Sequence, residues 1–258
     1  MAEAGPSDWE GTLADELVTY ASSNGVATIT LDRPDKLNAI DSRVCEGLRA
    51  ALARLQEGDD RAGVLVGAGR AFTAGADVDD VPELARCIPG VGVALDKPLV
   101  AAVHGHCVGG GVILVMMADL AVADATARFS YPEARLGLSG GMIASLAGRI
   151  AHKHAMELML LGATFDALRA HAVGLVNAVV APGGHLGAAT DMATTLAGQG
   201  PMVVAMLKRF VADAILPKGP SEHAGIARRE IDRVMTSADA KEGVAAAIAK
   251  RTPRFQGR

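Results

Sequence analysis

Between Gly105 and Asp119 the chain reads GHCVGGGVILVMMAD, three consecutive glycines leading into an apolar run that carries no acidic or basic side chain. Chemistry at so bare a backbone must come from its N–H groups. A strand-like segment, KPLVAAVHG, precedes the glycines and a helix-length segment follows them. The turn therefore offers unpaired amides and the positive end of a helix dipole to an anion. Three anions compete. A nucleotide triphosphate loop would place Lys and Ser or Thr after the second glycine of G-x-x-x-x-G, but Gly110 is followed by Gly111 and Val112. A dinucleotide fingerprint needs G-x-G-x-x-G, which no register of Gly105, Gly109, Gly110 and Gly111 supplies. An oxyanion hole remains, in which backbone donors face a carbonyl oxygen that gains charge during reaction. It needs a second donor, and the turn GRAFTAGADVDD, at the end of another buried strand, can present the N–H of Ala76.

Two further constellations compete with this one. Gly137 to Gly141, GLSGG, matches the G-x-S-x-G of a nucleophile elbow, with Asp166 and then His185 or His223 following in hydrolase order. The preceding PEARL is not the apolar strand that an elbow requires. His104 and His106 are read as sharing one face of a strand, with Cys107 beside them, but no fourth ligand at metal-site spacing appears and no metal is expected.

The elements that would position these residues follow from periodicity. ELVTYASSNGVATITLDRP alternates on both sides of an Asn-Gly turn and predicts a β-hairpin. After Asp41 and Ser42, either able to cap, Val44, Leu48, Ala51, Leu52 and Leu55 fall at helical spacing. AGVLVGAG reads as a buried strand, and DLAVA and ARFSYP as short strands. Strand, strand, helix is the recurring unit. Beyond Gly141 helices dominate, interrupted by the strand candidate GLVNAVVAP. The segments LGAATDMATTLAGQ, PMVVAMLKRFVADAIL and AGIARREIDRVM carry apolar faces that need partners. KRTPRFQGR reads as an extended tail. A soft boundary near Pro182 to His185 separates a core, residues 1–184, from a helical region, residues 185–258.

Composition narrows the class of function. A chain of 258 residues that is 50% hydrophobic and 21% charged can bury a large core. A net charge of -4 and an aromatic content of 3% argue against nucleic acid as a partner. Three widely spaced cysteines, with no secretory segment and no apolar run of membrane-spanning length, predict a cytoplasmic protein with no membrane partner.

The stretches LDRPDKLNAID, GRAFTAGADV, KPLVAAVHGHCVGGG and ARFSYPEARLG, in that order and continuing through GLVNAVV to KRTPRFQGR, resemble the crotonase, or enoyl-CoA hydratase/isomerase, family. The resemblance implies an α/β fold, a crotonase-like spiral of ββα units with C-terminal helices that build a homotrimer or a dimer of trimers. It implies an acyl-CoA substrate, with coenzyme A as part of that substrate and no separate cofactor. The thioester oxygen would lie between the N–H groups of Ala76 and Gly110. The coenzyme A thioester would be bound by Lys36, Leu37, Ala74, Gly75, Ala76, Asp77, Gly109, Gly110, Ile113 and Tyr131, with backbone atoms of Lys36, Leu37 and Ala74 near the adenine.

Family hydratases carry one glutamate three residues after the oxyanion glycine and another twenty residues later, positions held here by Ile113 and Glu133. Isoleucine neither transfers a proton nor holds a water. Glu133 alone implies movement of a proton from C2 to C4 of a 3-enoyl thioester, which is Δ3,Δ2-isomerisation. The open alternatives are hydration despite Ile113, another enolate reaction such as decarboxylation or thioester hydrolysis, and an acyl-CoA binder without turnover. The ordinary role for such a glutamate would be a surface carboxylate paired with Arg135.

Overall fold

The computed structural model describes residues 17–258, so the start of the 1–184 core and Glu16 of the hairpin pattern lie outside the described residues. β1 (Val18–Ser23) and β2 (Val26–Leu31) form the expected hairpin, and Asn24 and Gly25 both take the positive φ that a tight Asn-Gly turn demands. Asp41 caps α1 (Ser42–Glu57), its carboxylate accepting from the N–H groups of Arg43 and Val44, and the predicted apolar face is buried.

The chain then repeats one move. β3 (Ala62–Gly67) leads to β4 (Ala71–Thr73), and β5 (Leu99–Val103) to β6 (His106–Val108) and α2 (Gly110–Met117). β7 (Leu120–Asp124) leads to β8 (Arg128–Ser130) and the short α3 (Glu133–Leu136). Each round adds one strand to each of two sheets. The larger runs β1-β2-β3-β5-β7-β10 and the smaller β4-β6-β8-β9, with β9 at Thr164–Asp166 and β10 at Ala178–Val180. This is the spiral of ββα units expected from the sequence, except that the β3–β4 round closes with a single 3-10 turn, Leu84–Cys87.

Parallel pairing explains the strand composition. β3 and β5 are buried along their whole length and carry almost only small and β-branched residues. One face of the large sheet packs into the main core with α1 and α2. The other takes Ala189, Ala193 and Ala197 of α6 (His185–Ala197) against Val64, Val66, Val100 and Val122. α6 therefore lies on the sheet although it follows the Pro182–His185 boundary.

α4 (His152–Leu161) and α5 (Ala167–Ala172) flank β9. α7 (Pro201–Phe210) runs into a π turn, Val211–Ile215, where the sequence pattern implied one continuous helix. α8 (Pro220–Met235) and α9 (Ala238–Ile248) follow. The terminal segment has no regular structure, as expected, and turns back on α9: Asp239 accepts from the N–H groups of Gln256 and Gly257. Among the described residues no helix is long and apolar enough to cross a membrane.

Candidate active site

The first turn of the site follows from one residue, Gly109. It ends β6 with φ 53 and ψ -111, a conformation open in practice to glycine alone, and its N–H is spent on Ser130 O at 2.9 Å. Gly110 is the first residue of α2, so its N–H has no intrahelical partner, and it has no acceptor among the described residues.

The second turn is built from Thr73 to Asp77. Thr73 Oγ1 donates to Asn38 O and accepts from the N–H of Gly75, which has φ 90. Ile40 N–H donates to Gly75 O at 2.8 Å, and Asp77 N–H donates to Ile40 O at 2.9 Å. In such a parallel bridge the intervening residue faces the other way, so Ala76 N–H points away from Ile40 and has no acceptor among the described residues. A Cβ on Gly75 would stand 2.7 Å from Val108 O and 3.5 Å from Gly109 Cα. The two turns touch, and each free amide belongs to the residue after a positive-φ glycine.

Glu133 opens α3 beside them. A Cβ on Gly109 would collide with Glu133 Oε1, while Oε2 is buried without a partner. Burial pushes its carboxyl up to about 7, opposed in part by its own backbone N–H. The expected alternative of a Glu133–Arg135 pair does not form: Arg135 donates to Leu161 O and Gly162 O at the end of α4. Ile113, buried, lies one helical turn beyond Gly110 on the same face of α2. Leu84 and Ile40 approach Gly110, their methyls 3.0 Å and 3.7 Å from where its Cβ would be. Tyr131 is buried with its hydroxyl 3.0 Å from Ser139 Oγ, and burial raises its pKa, with the Glu133 charge adding to the rise.

The segments expected to bind coenzyme A also lie together. Ala74 N–H donates to Leu37 O at 2.8 Å, so Lys36 to Ile40 runs alongside Ala74 to Asp77. Lys36 is exposed at the end of the Pro34–Lys36 turn. Two residues that sequence reasoning missed hold this arrangement. Asn38 is fully buried at φ 56, its amide donating to Ala68 O and Ala71 O, and its oxygen accepting from Arg33 N–H. Arg33 ion-pairs with Asp77 at 2.7 Å and pulls its carboxyl below the usual range. The one available signal was asparagine's tolerance of left-handed backbone.

The competing constellations come apart. Ser139 follows a helix rather than a strand and engages Tyr131 and Gly141 N–H. Asp166 caps α5, and His185 meets Asp124 at 3.2 Å. The expected shared strand face for His104 and His106 is wrong. Gly105, at φ 54, breaks the strand between them. His104 is buried, stacked on His185 at 4.3 Å, with Nε2 at Gly69 O, while His106 is exposed at the start of β6.

A spiral of two interlocked sheets, with two adjoining backbone turns and one buried carboxyl at its centre, is the architecture of crotonase-like proteins. The enoyl-CoA hydratase/isomerase family model matches residues 21–87 and 92–258, and the chain belongs to that family. It is 34% identical over 255 residues to the "probable enoyl-CoA hydratase echA8" of Mycobacterium tuberculosis, covering 94% of this chain and 99% of that one. Two solved structures superpose with a TM-score of 0.73. An enoyl-CoA hydratase from M. tuberculosis H37Rv is 33% identical, covering 95% of this chain and 100% of that one. A carnitinyl-CoA dehydratase from Mycobacterium avium 104 is 34% identical, covering 94% and 99%.

Proposed function

We propose that this member of the family isomerises 3-enoyl-CoA to 2-enoyl-CoA, with Glu133 as its single acid-base group. The observation that carries the reading is a half-buried carboxyl against the oxyanion turn whose Oε2 is buried without a partner, with an apolar Ile113 at the position where family hydratases hold a second glutamate. The thioester oxygen accepts from Ala76 and Gly110. Glu133 takes a proton from C2, the electron pair moves onto that oxygen as an enolate, and the proton returns to C4 as the double bond moves to C2–C3. A carboxyl near neutrality serves both transfers, because neither its acid nor its base form is scarce at pH 7. The apolar surround strengthens both amide bonds as the enolate charge develops.

The coenzyme A moiety runs along Lys36, Leu37, Ala74, Gly75 and Asp77, and the reaction uses no other cofactor. The chain works as a homotrimer or a dimer of trimers in the cytoplasm. Support for assembly comes from apolar side chains left exposed on the C-terminal helices, among them Met202, Phe210, Met235 and Ile248. Sedimentation that finds only a monomer would reject it.

The relatives' names favour hydration as the second reading. Absorbance of the conjugated thioester separates the two. A rising signal from 3-enoyl-CoA, lost in Glu133→Gln, supports isomerisation. A falling signal from 2-enoyl-CoA means hydration, and silence with both means another acyl-CoA reaction or a binder.

A further inference from the structure

Glu133 is carried on α3, a helix of four residues and too short to hold its own place. What fixes it lies on either side. Tyr131 stands directly after β8, whose Ser130 O takes the Gly109 N–H at 2.9 Å, so this end of the segment belongs to the sheet that forms the oxyanion turn. The other end is the loop GLSGG, in which Gly137 and Gly141 have φ 68 and 74. A loop so rich in glycine has little conformational preference of its own.

One bond joins the two ends. The Tyr131 hydroxyl, on a buried ring, lies 3.0 Å from Ser139 Oγ, eight residues further along the chain. Ser139 Oγ also accepts from the N–H of Gly141 at 3.1 Å, so the serine binds the loop to itself as well as to the tyrosine. Ser221 of α8 donates to Gly140 O at 2.7 Å. Within the ring that Tyr131 and Ser139 close, the N–H groups of Gly137 and Leu138 both reach back to Glu133 O. Arg135 ties α3 itself to the end of α4, whereas the side-chain ties of the loop come from Ser139 and Ser221. Where the loop is held therefore sets where Glu133 stands.

We infer that the Tyr131–Ser139 hydroxyl pair is a clasp that positions Glu133 against Gly109, with Ser139 acting through this bond and not as a nucleophile. The inference rests on Glu133 as the acid-base group but not on which proton it moves. Opening the clasp lets the loop swing and water reach the carboxyl. Burial is what raises Glu133 to about 7, so hydration moves it back toward 4.5.

The test compares wild type with Tyr131→Phe, Ser139→Ala, the double variant and Ser139→Thr, which keeps the hydroxyl. Glu133 is titrated by its carboxylate infrared band, isolated by subtracting the spectrum of Glu133→Gln, and turnover of 3-enoyl-CoA is followed in parallel. Tyr131→Phe and Ser139→Ala should each lower the Glu133 midpoint and cost about tenfold in kcat, the scale of one hydrogen bond, with KM little changed. The double variant should lose no more than either single one, because both break the same bond. Ser139→Thr should keep the wild-type midpoint. Circular dichroism checks folding, and Ser139→Ala, at an exposed position, carries the test if Tyr131→Phe does not fold. An unmoved midpoint in a folded single variant overturns the inference, as do losses that multiply in the double variant. Activity abolished by Ser139→Ala but untouched by Tyr131→Phe also overturns it, since the serine would then act on the substrate directly. A protein whose Glu133 midpoint follows the clasp but which turns over no enoyl-CoA keeps the clasp and loses the isomerase reading.

Discussion

The carboxylate of Glu133 rests on the Cα of Gly109, so the acid-base group and the backbone turn beside it form one construction. The missing side chain at 109 leaves room for the carboxyl, and the same glycine sets the angle at which α2 starts and Gly110 N–H points. Gly109→Ala should therefore fail twice. The strained backbone costs about 1–3 kcal/mol, and the new methyl displaces the carboxyl. A lower Tm together with loss of isomerase activity is expected, and a stable, active Gly109→Ala would contradict the packing.

Glu133→Gln should lower turnover of 3-enoyl-CoA by about 10²–10⁴-fold while leaving acyl-CoA binding within a few-fold of wild type, because the amide keeps the shape and loses the proton transfer. Wild-type kcat/KM should rise with pH and level off above a midpoint near 7, since the first step needs the ionised form. A profile flat between pH 6 and 8 would move the base elsewhere.

The same shift has a consequence for stability. Glu133 ionises near its ordinary 4.5 in the unfolded chain and near 7 in the folded one. Between these values the folded state holds the extra proton, so this group's contribution to stability falls as pH rises through that window. Glu133→Gln removes the dependence. Its Tm relative to wild type should be higher at pH 8 than at pH 5, and the reverse order would show that the carboxyl is not desolvated.

Asn38 tests the frame rather than the chemistry. Its amide donates to the carbonyl oxygens of Ala71, buried, and Ala68, half-buried. Asn38→Ala leaves them unpaired, at about 1–3 kcal/mol each, and loosens the contact between the Lys36–Ile40 and Ala74–Asp77 segments. Thermal unfolding should show a clear drop in Tm, accompanied by weaker binding of coenzyme A itself. An unchanged Tm would mean that ordered water replaces the amide.

Asn38 also shows where legibility in the sequence ends. The hairpin, α1 with its Asp41 cap, and the two glycine turns could be read because each depends on residues close together in the chain. The smaller sheet was harder: β4, β6 and β8 have three residues each, too few for a period to emerge. α9, largely alanine, offers no broad apolar stripe. The bonds from Asn38 to Ala68 and Ala71 and from Arg33 to Asp77 span thirty or more residues, and no local pattern announces them. For His104 and His106 the alternation was real, but Gly105 turned the chain between them. Glu133 could be placed only through the family resemblance, and the unpartnered burial of its Oε2 only through the fold.

Ile113 offers the most direct route to the choice of reaction. It occupies the family's second carboxylate position, buried on the face of α2 that carries Gly110. Ile113→Glu puts an acceptor there that can orient a water, at a cost in stability because the new carboxyl is desolvated. If Ile113 is what keeps water out of the reaction, the variant should gain hydration of 2-enoyl-CoA, and its hydratase-to-isomerase ratio should rise by about tenfold or more, the scale on which one positioned acid-base group acts. Both rates come from the conjugated-thioester absorbance, and product analysis identifies the 3-hydroxyacyl thioester. If the folded variant hydrates no better than wild type, water is excluded by other side chains at the turn, and Leu84 and Ile40, which approach Gly110, are the next to remove.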